Sequence, residues 1–302
     1  MFAERFGLNA DPFRITADPS FLYFGQGHKD ALSAVYLSVL ESRGIGALTA
    51  QAGMGKTTLL RYLVGRLKGK AAAAFFPHPY QTRQDLMQEV MKRVGLGSSG
   101  PAEFEQMNRL QQRLAELKRR GYRMLLLFDE GQALSDEALE QIRLLSNLHS
   151  TNMNLLEIII AGQPELEDKL REPQHEALRQ RISVMARVEP LREAEVAEYI
   201  QHRLAVVGRT EELFLPEAMT LAAEVSGGIP RWLNHVCHGA LTLAWADDLD
   251  RVTADLVLEA SQELPQAVKP GRVNQREASR VMPANETKSG LRAFGQAEGV
   301  GD

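Results

Sequence analysis

The run Ile45-Gly46-Ala47-Leu48-Thr49-Ala50-Gln51-Ala52-Gly53-Met54-Gly55-Lys56-Thr57-Thr58 passes from an apolar strand candidate into a glycine-rich loop and then into a helix candidate. The loop fits the pattern G-x-x-x-x-G-K-[ST] at Gly55, Lys56 and Thr57, with Ala50 at the first glycine position. Each residue type has a chemical reason. Glycines let backbone N–H groups turn inward around phosphate oxygens, and the helix N-terminus adds its positive end. Lys56 then reaches the β- and γ-phosphates, and Thr57 offers a hydroxyl to Mg²⁺. Gly53, Met54, Gly55, Lys56, Thr57 and Thr58 are the expected nucleotide contacts. A second element follows downstream, Met124-Leu125-Leu126-Leu127-Phe128-Asp129-Glu130, an apolar strand ending in two acids. A buried strand tolerates acids at its carboxyl mouth, where ligands bind in open α/β sheets. Asp129 is expected to hold Mg²⁺ directly or through water, and Glu130 to act as general base on the attacking water. The expected ligands are therefore ATP and Mg²⁺.

Working outward, short apolar runs alternate with amphipathic helices. Strands are expected at 45–49, 71–76, 124–128, 155–161 and 183–188. Helices are expected around Leu32–Leu40, closed by Gly44 and Gly46, then over 57–67, 83–94, 104–117 and 139–148. That alternation predicts an α/β domain with a parallel sheet flanked by helices. Past Pro190 the pattern turns purely helical, with candidates over 196–207, 216–225, 231–245 and 255–261. The expected layout is an N-terminal arm (1–27), a P-loop α/β domain (28–190), a small all-helical lid (191–265) and a disordered tail (266–302). The arm is rich in aromatics, with Phe13, Phe21, Tyr23 and Phe24 among them. It reads as an ordered cover over a hydrophobic edge.

The chain has 302 residues, 44% of them hydrophobic and 25% charged, with a net charge of −4. That balance excludes a globally basic nucleic-acid binder. One cysteine, Cys237, excludes an internal disulfide and points to a reducing compartment. His28, Cys237 and His238 lack metal-ligand spacing. No apolar run reaches the roughly 18 residues needed to span a bilayer. A cytoplasmic protein is expected, with any membrane association through a partner.

Further motifs carry a family resemblance. They are Phe6-Gly7-Leu8, Asp11-Pro12-Phe13 and Asp18-Pro19, continued by Phe21, Tyr23, His28 and Ala31. Downstream are Asp129-Glu130-Gly131-Gln132, Ala161-Gly162-Gln163-Pro164-Glu165-Leu166 and Ser226-Gly227-Gly228-Ile229-Pro230-Arg231. Together with the loop they resemble the AAA+ ATPases, and within them the general-secretion-pathway protein A (ExeA-like) group, over residues 1–265. Gly131 stands where that group has alanine. The resemblance implies that Gln163 is a sensor near the γ-phosphate, that Arg231 touches the phosphates and couples lid closure to the nucleotide, and that Tyr23 or Phe24 is a platform for the adenine ring. It also places an arginine finger, supplied by a neighbouring subunit, at Arg179 or Arg181, with Arg187 as a third candidate. A homo-oligomer with an unidentified protein partner, serving secretion or envelope assembly, follows from the resemblance. The alternative is a transposition-type ATPase acting on duplex DNA through Arg113, Lys118, Arg119, Arg120 and Arg123.

Overall fold

The computed structural model describes residues 2–15, 18–97, 103–150 and 153–264. Expectations for the 266–302 tail lie outside the described residues. In chain order the elements begin with α1 (Phe2–Arg5), α2 (Gln26–Leu40), β1 (Ile45–Ala50), α3 (Lys56–Arg66) and β2 (Ala71–Phe76). Next come α4 (Arg83–Arg93), α5 (Glu103–Arg119), β3 (Arg123–Phe128) and α6 (Asp136–Leu145). A short antiparallel pair, β4 (His149–Ser150) and β5 (Met153–Asn154), leads to β6 (Leu156–Gly162), α7 (Glu165–Arg171), α8 (Glu176–Arg179) and β7 (Ile182–Val188). Helices α9 (Glu193–Val206), α10 (Pro216–Ser226), α11 (Pro230–Ala246) and α12 (Ala254–Gln262) complete the described chain.

The sheet is five-stranded and parallel, ordered β2-β3-β6-β1-β7. Parallel strands need covering on both faces, and β1, β3 and β6 are buried along nearly their whole length. Their side chains alternate between two cores. Leu126, Phe128, Ile158 and Ile160 pack on one face with α4, α5 and α6, while Leu125, Leu127, Ile159 and Ala161 pack on the other with α2 and α3. Each such leucine or isoleucine contributes about 1.5–3 kcal/mol by leaving water. The register sets Leu48 of β1 beside Ala161, and Phe128 of β3 beside Ile160. The carboxyl ends of three neighbouring strands therefore open onto one edge.

One expected helix terminator is corrected. Gly46 lies inside β1, and α2 stops at Leu40. The strand packs closely at 46, where a Cβ would meet the Ile159 Cδ1 methyl at 2.9 Å.

The four helices after β7 form a third core, and the N-terminal arm belongs to it. Phe6, Leu8, Phe13 and Phe21 are buried with Val196, Ile200, Phe214 and Leu233. Phe13 meets Phe214 edge-on, with ring centroids 5.6 Å apart. Arg203 of α9 fastens the arm: buried itself, it donates to the carbonyls of Pro12 (2.5 Å) and Arg14 (2.9 Å) and lies over the Phe21 ring. Helix α11 carries both tryptophans of the chain, Trp232 and Trp245.

Candidate functional site

A cavity of 540 Å³ lies where the sheet edge, the arm and α11 meet. The sequence accounts for its floor. Gly53 (φ +87°) and Gly55 (φ +83°) take left-handed backbone, the second as N-cap of α3. Residues Ala52–Thr58 line the cavity, so the first turn of α3 faces it. Lys56 is buried and donates to the Ala50 (2.9 Å) and Gln51 (3.4 Å) carbonyls. Burial holds its ammonium below the usual lysine pKa, opposed by the nearby Glu130 and Asp129 carboxylates.

The strand β3 ends one residue before Asp129, whose N–H donates to the Phe76 carbonyl of β2 at 2.9 Å. The Thr57 hydroxyl donates to Asp129 Oδ2 at 2.7 Å, and the Glu130 N–H to Asp129 Oδ1 at 2.9 Å. A threonine hydroxyl beside a buried carboxylate is a hard oxygen donor set of the kind Mg²⁺ takes when phosphates and water complete its shell. Thr57 and Asp129 therefore fit that ion. Glu130 lines the cavity with its backbone left-handed, at φ +54° and ψ +38°. Gln163, just past β6, lines it too.

The helical side contributes Leu191, Tyr199, Arg203, Arg231 and Asn234. Arg231 opens α11, and its N–H donates to the Gly53 carbonyl at 3.2 Å. A Cβ on Gly53 would fall 2.7 Å from Arg231 Cβ, so only glycine lets the loop and α11 approach this closely. The Gly227-Gly228 pair before it also has a steric role. Both have positive φ, and a Cβ on Gly228 would sit 2.1 Å from the Leu191 carbonyl oxygen.

Lys56, Thr57, Thr58, Gly53, Met54, Gly55, Glu130, Gln163 and Arg231 thus share one cavity, with Asp129 hydrogen-bonded to Thr57 at its base. The arginines at 179, 181 and 187 do not line it. Arg179 pairs with Glu176 at 3.3 Å, Arg181 donates to Ser146 Oγ at 3.4 Å, and Arg187 lies 3.6 Å from Glu167. All three sit on or beside α8 and β7, at the open edge of the sheet. The two aromatic platforms separate: Tyr23 lines the cavity, whereas Phe24 packs edge-on against Tyr62 of α3 (4.8 Å) and is no adenine platform here.

Three residues take site roles that sequence reasoning did not give them. His28 is buried and bonds through Nε2 to the Met54 carbonyl at 3.1 Å, bracing the loop from beneath, and burial lowers its pKa. Its place among the residues of the family resemblance is its one sequence signal. Arg203 and Asn234, the latter accepting from Tyr199 Oη at 2.8 Å, line the cavity from helices that read as ordinary amphipathic segments. Cys237 is buried in the helical core, and His238 faces Asp11 at 3.1 Å.

The cations considered for duplex DNA are mostly engaged. Arg113 and Arg120 both pair with Glu116, Lys118 donates to the Asn154 carbonyl, and Arg123 donates to the Val39 and Leu40 carbonyls at the end of α2. Arg119 is exposed.

A family model described as an AAA domain matches residues 39–170. General secretion pathway protein A of Aeromonas hydrophila is 34% identical over 247 residues, which cover 82% of this chain and 45% of that protein. The chain thus spans less than half the length of that curated relative. Among solved structures, the ORC2 protein of Aeropyrum pernix, in ADPNP and ADP complexes, aligns with a TM-score of 0.62 at 18% identity, covering 84% of this chain and 72% of that one. The RuvB Holliday junction branch migration motor of Thermotoga maritima aligns with a TM-score of 0.54 at 16% identity, covering 84% and 74%. At these identities the likeness is one of fold. Among the described residues no helix is long and apolar enough to cross a membrane.

Proposed function

The chain belongs to the AAA+ family, within the group of general secretion pathway protein A, and on that premise we propose that it binds MgATP in the cavity between sheet and α11 and hydrolyses it. The observation that carries this reading is the convergence of Lys56, the bonded Thr57–Asp129 pair and Glu130 on one wall, with Arg231 closing the other. Lys56 exchanges its carbonyl partners for β- and γ-phosphate oxygens. Thr57 and Asp129 would hold Mg²⁺, which when bound would supply positive charge against the phosphates. Glu130 accepts the proton of the attacking water. Gln163 touches the γ-phosphate end of the nucleotide, and Arg231 reports its presence to the helical domain.

A finger arginine comes from a neighbouring subunit, a reading supported by Arg179 and Arg181 standing outside the cavity of their own chain. The active form is then a homo-oligomer in which the α8–β7 edge of one subunit faces the cavity of the next. The process served is secretion or envelope assembly, through a protein partner, as the name of the Aeromonas relative suggests. Four of the five cations that would bind duplex DNA are engaged within the fold, which disfavours the transposition-type alternative.

The test is ATP turnover against protein concentration, with Glu130→Gln as the blank and with or without duplex DNA. Turnover per subunit that rises with concentration supports the trans finger. A rate independent of concentration over a range where the protein changes from monomer to oligomer removes it. A salt-sensitive stimulation by DNA would reinstate the alternative.

A further inference from the structure

Gln132 has no part in the chemistry above, yet its carboxamide bridges two groups that do. Its Nε2 donates to Glu130 Oε2 at 2.7 Å, and its Oε1 accepts the Gln163 N–H at 2.9 Å. The second bond fixes the first. A backbone N–H takes only the amide oxygen, so the nitrogen must face the carboxylate, where it can only donate.

The backbone is shaped to allow this bridge. A Cβ on Gly162 would lie 2.8 Å from Gln132 Oε1 and 3.1 Å from Gln132 N. One on Gly131 would meet Ile160 Cγ2 at 2.6 Å and the Ala161 carbonyl oxygen at 3.1 Å. The turn carrying Gln132 is thus pressed onto the end of β6 through two glycines. Glu130 enters that turn in left-handed backbone, a conformation that residues other than glycine rarely take. A plain connection between β3 and α6 needs none of these three features.

We infer that Gln132 is a positioning residue. Its carboxamide sets the Glu130 carboxylate and ties it to the main chain of Gln163, so that the general base and the sensing end of β6 move together. The inference rests on the ATPase reading. It gives the departure at 131 a physical role, since alanine there would push the turn off the strand.

The experiment compares wild type with Gln132→Glu, Gln132→Met and, on the strand side of the bridge, Gly162→Ala, measuring kcat, the ATP dissociation constant and the melting temperature of each. Gln132→Glu keeps the size and the acceptor for Gln163 but sets a carboxylate against a carboxylate. We expect kcat to fall about 10- to 100-fold in both Gln132 variants, the scale of losing a hydrogen bond to a charged group, with ATP affinity within about twofold of wild type. Gly162→Ala should reproduce that split. A Gln132→Glu kcat within about twofold of wild type overturns the inference, as does a loss of affinity in step with kcat. Absence of wild-type turnover above the Glu130→Gln blank overturns the ATPase reading and this inference together, whereas normal wild-type turnover with an indifferent Gln132→Glu overturns this one alone. If Gln132→Met does not fold, the near-isosteric Gln132→Glu decides.

Discussion

The two walls of the cavity are built differently. On the sheet wall, Thr57, Asp129, Glu130, Gln132 and Gln163 come from the ends of α3, β3 and β6 and are joined by hydrogen bonds of 2.7–2.9 Å, each with a side chain on at least one end. The strands behind them are buried on both faces. On the helical wall, Arg231 is exposed and meets the loop through one backbone bond of 3.2 Å. The groups assigned to chemistry thus stand in one side-chain network, while the group assigned to sensing meets the loop through its backbone N–H. A domain that must open and close is expected to place its reacting groups and its hinge-side contacts in this way.

Four measurements would break or sharpen that contrast. The largest effect belongs to Glu130→Gln, which should lower turnover by about 10²–10⁴-fold while sparing ATP affinity. Steady-state hydrolysis and a nucleotide titration check it, and a loss of both would move Glu130 from chemistry to binding. Next, Arg203→Met should cost about 2–4 kcal/mol in denaturant unfolding, because it orphans the Pro12 and Arg14 carbonyls. If the cost is negligible, the arm is not fastened to the helical core through this residue.

The third measurement concerns the far end of the sheet. Burial of Glu157 pushes its pKa up to about 7, opposed by the Gly44 N–H and by Arg123 and Lys118. The folded state therefore holds this proton more tightly than the unfolded chain. The stability it brings is complete below about pH 4.5 and is lost as pH rises through 7. Relative to Glu157→Gln, the wild type should lose up to about 3 kcal/mol over that window, read from unfolding at a series of pH values. A flat difference would mean that Glu157 stays ionised in the fold. The smallest effect is that of Arg231→Ala, about tenfold in ATP affinity with kcat on bound nucleotide falling less than in Glu130→Gln. An equal collapse of turnover would erase the distinction between the walls.

Much of the sheet wall was legible in the sequence, because local rules suffice there. An apolar run entering Gly53-Met54-Gly55-Lys56-Thr57, and another ending in Asp129-Glu130, each specify a strand and what stands at its mouth. The helical wall was legible only as helices. Arg203 sits in an amphipathic segment where an arginine normally means solvent, and its true partners, Pro12 and Arg14, are about 190 residues away. The arm illustrates the same limit. Its aromatics announced burial, but the partner core is formed by α9 to α12, which no local pattern connects to Phe6 or Phe13. Gly46 shows the opposite error, since a glycine inside β1, packed close to Ile159, looks in sequence like a helix stop. Gln132 carried a motif but no visible role until the fold brought its two partners within hydrogen-bonding distance.

Helix α11 has an optical consequence. Trp232 follows Arg231 and lies against His235, with ring centroids 5.8 Å apart, and Trp245 is about half exposed near the helix end. Since these are the only two tryptophans in the chain, light absorbed at the red edge of the protein spectrum is emitted from this helix alone. The unlabelled molecule therefore carries its own reporter, blind to the sheet and with Trp232 seated one residue from Arg231.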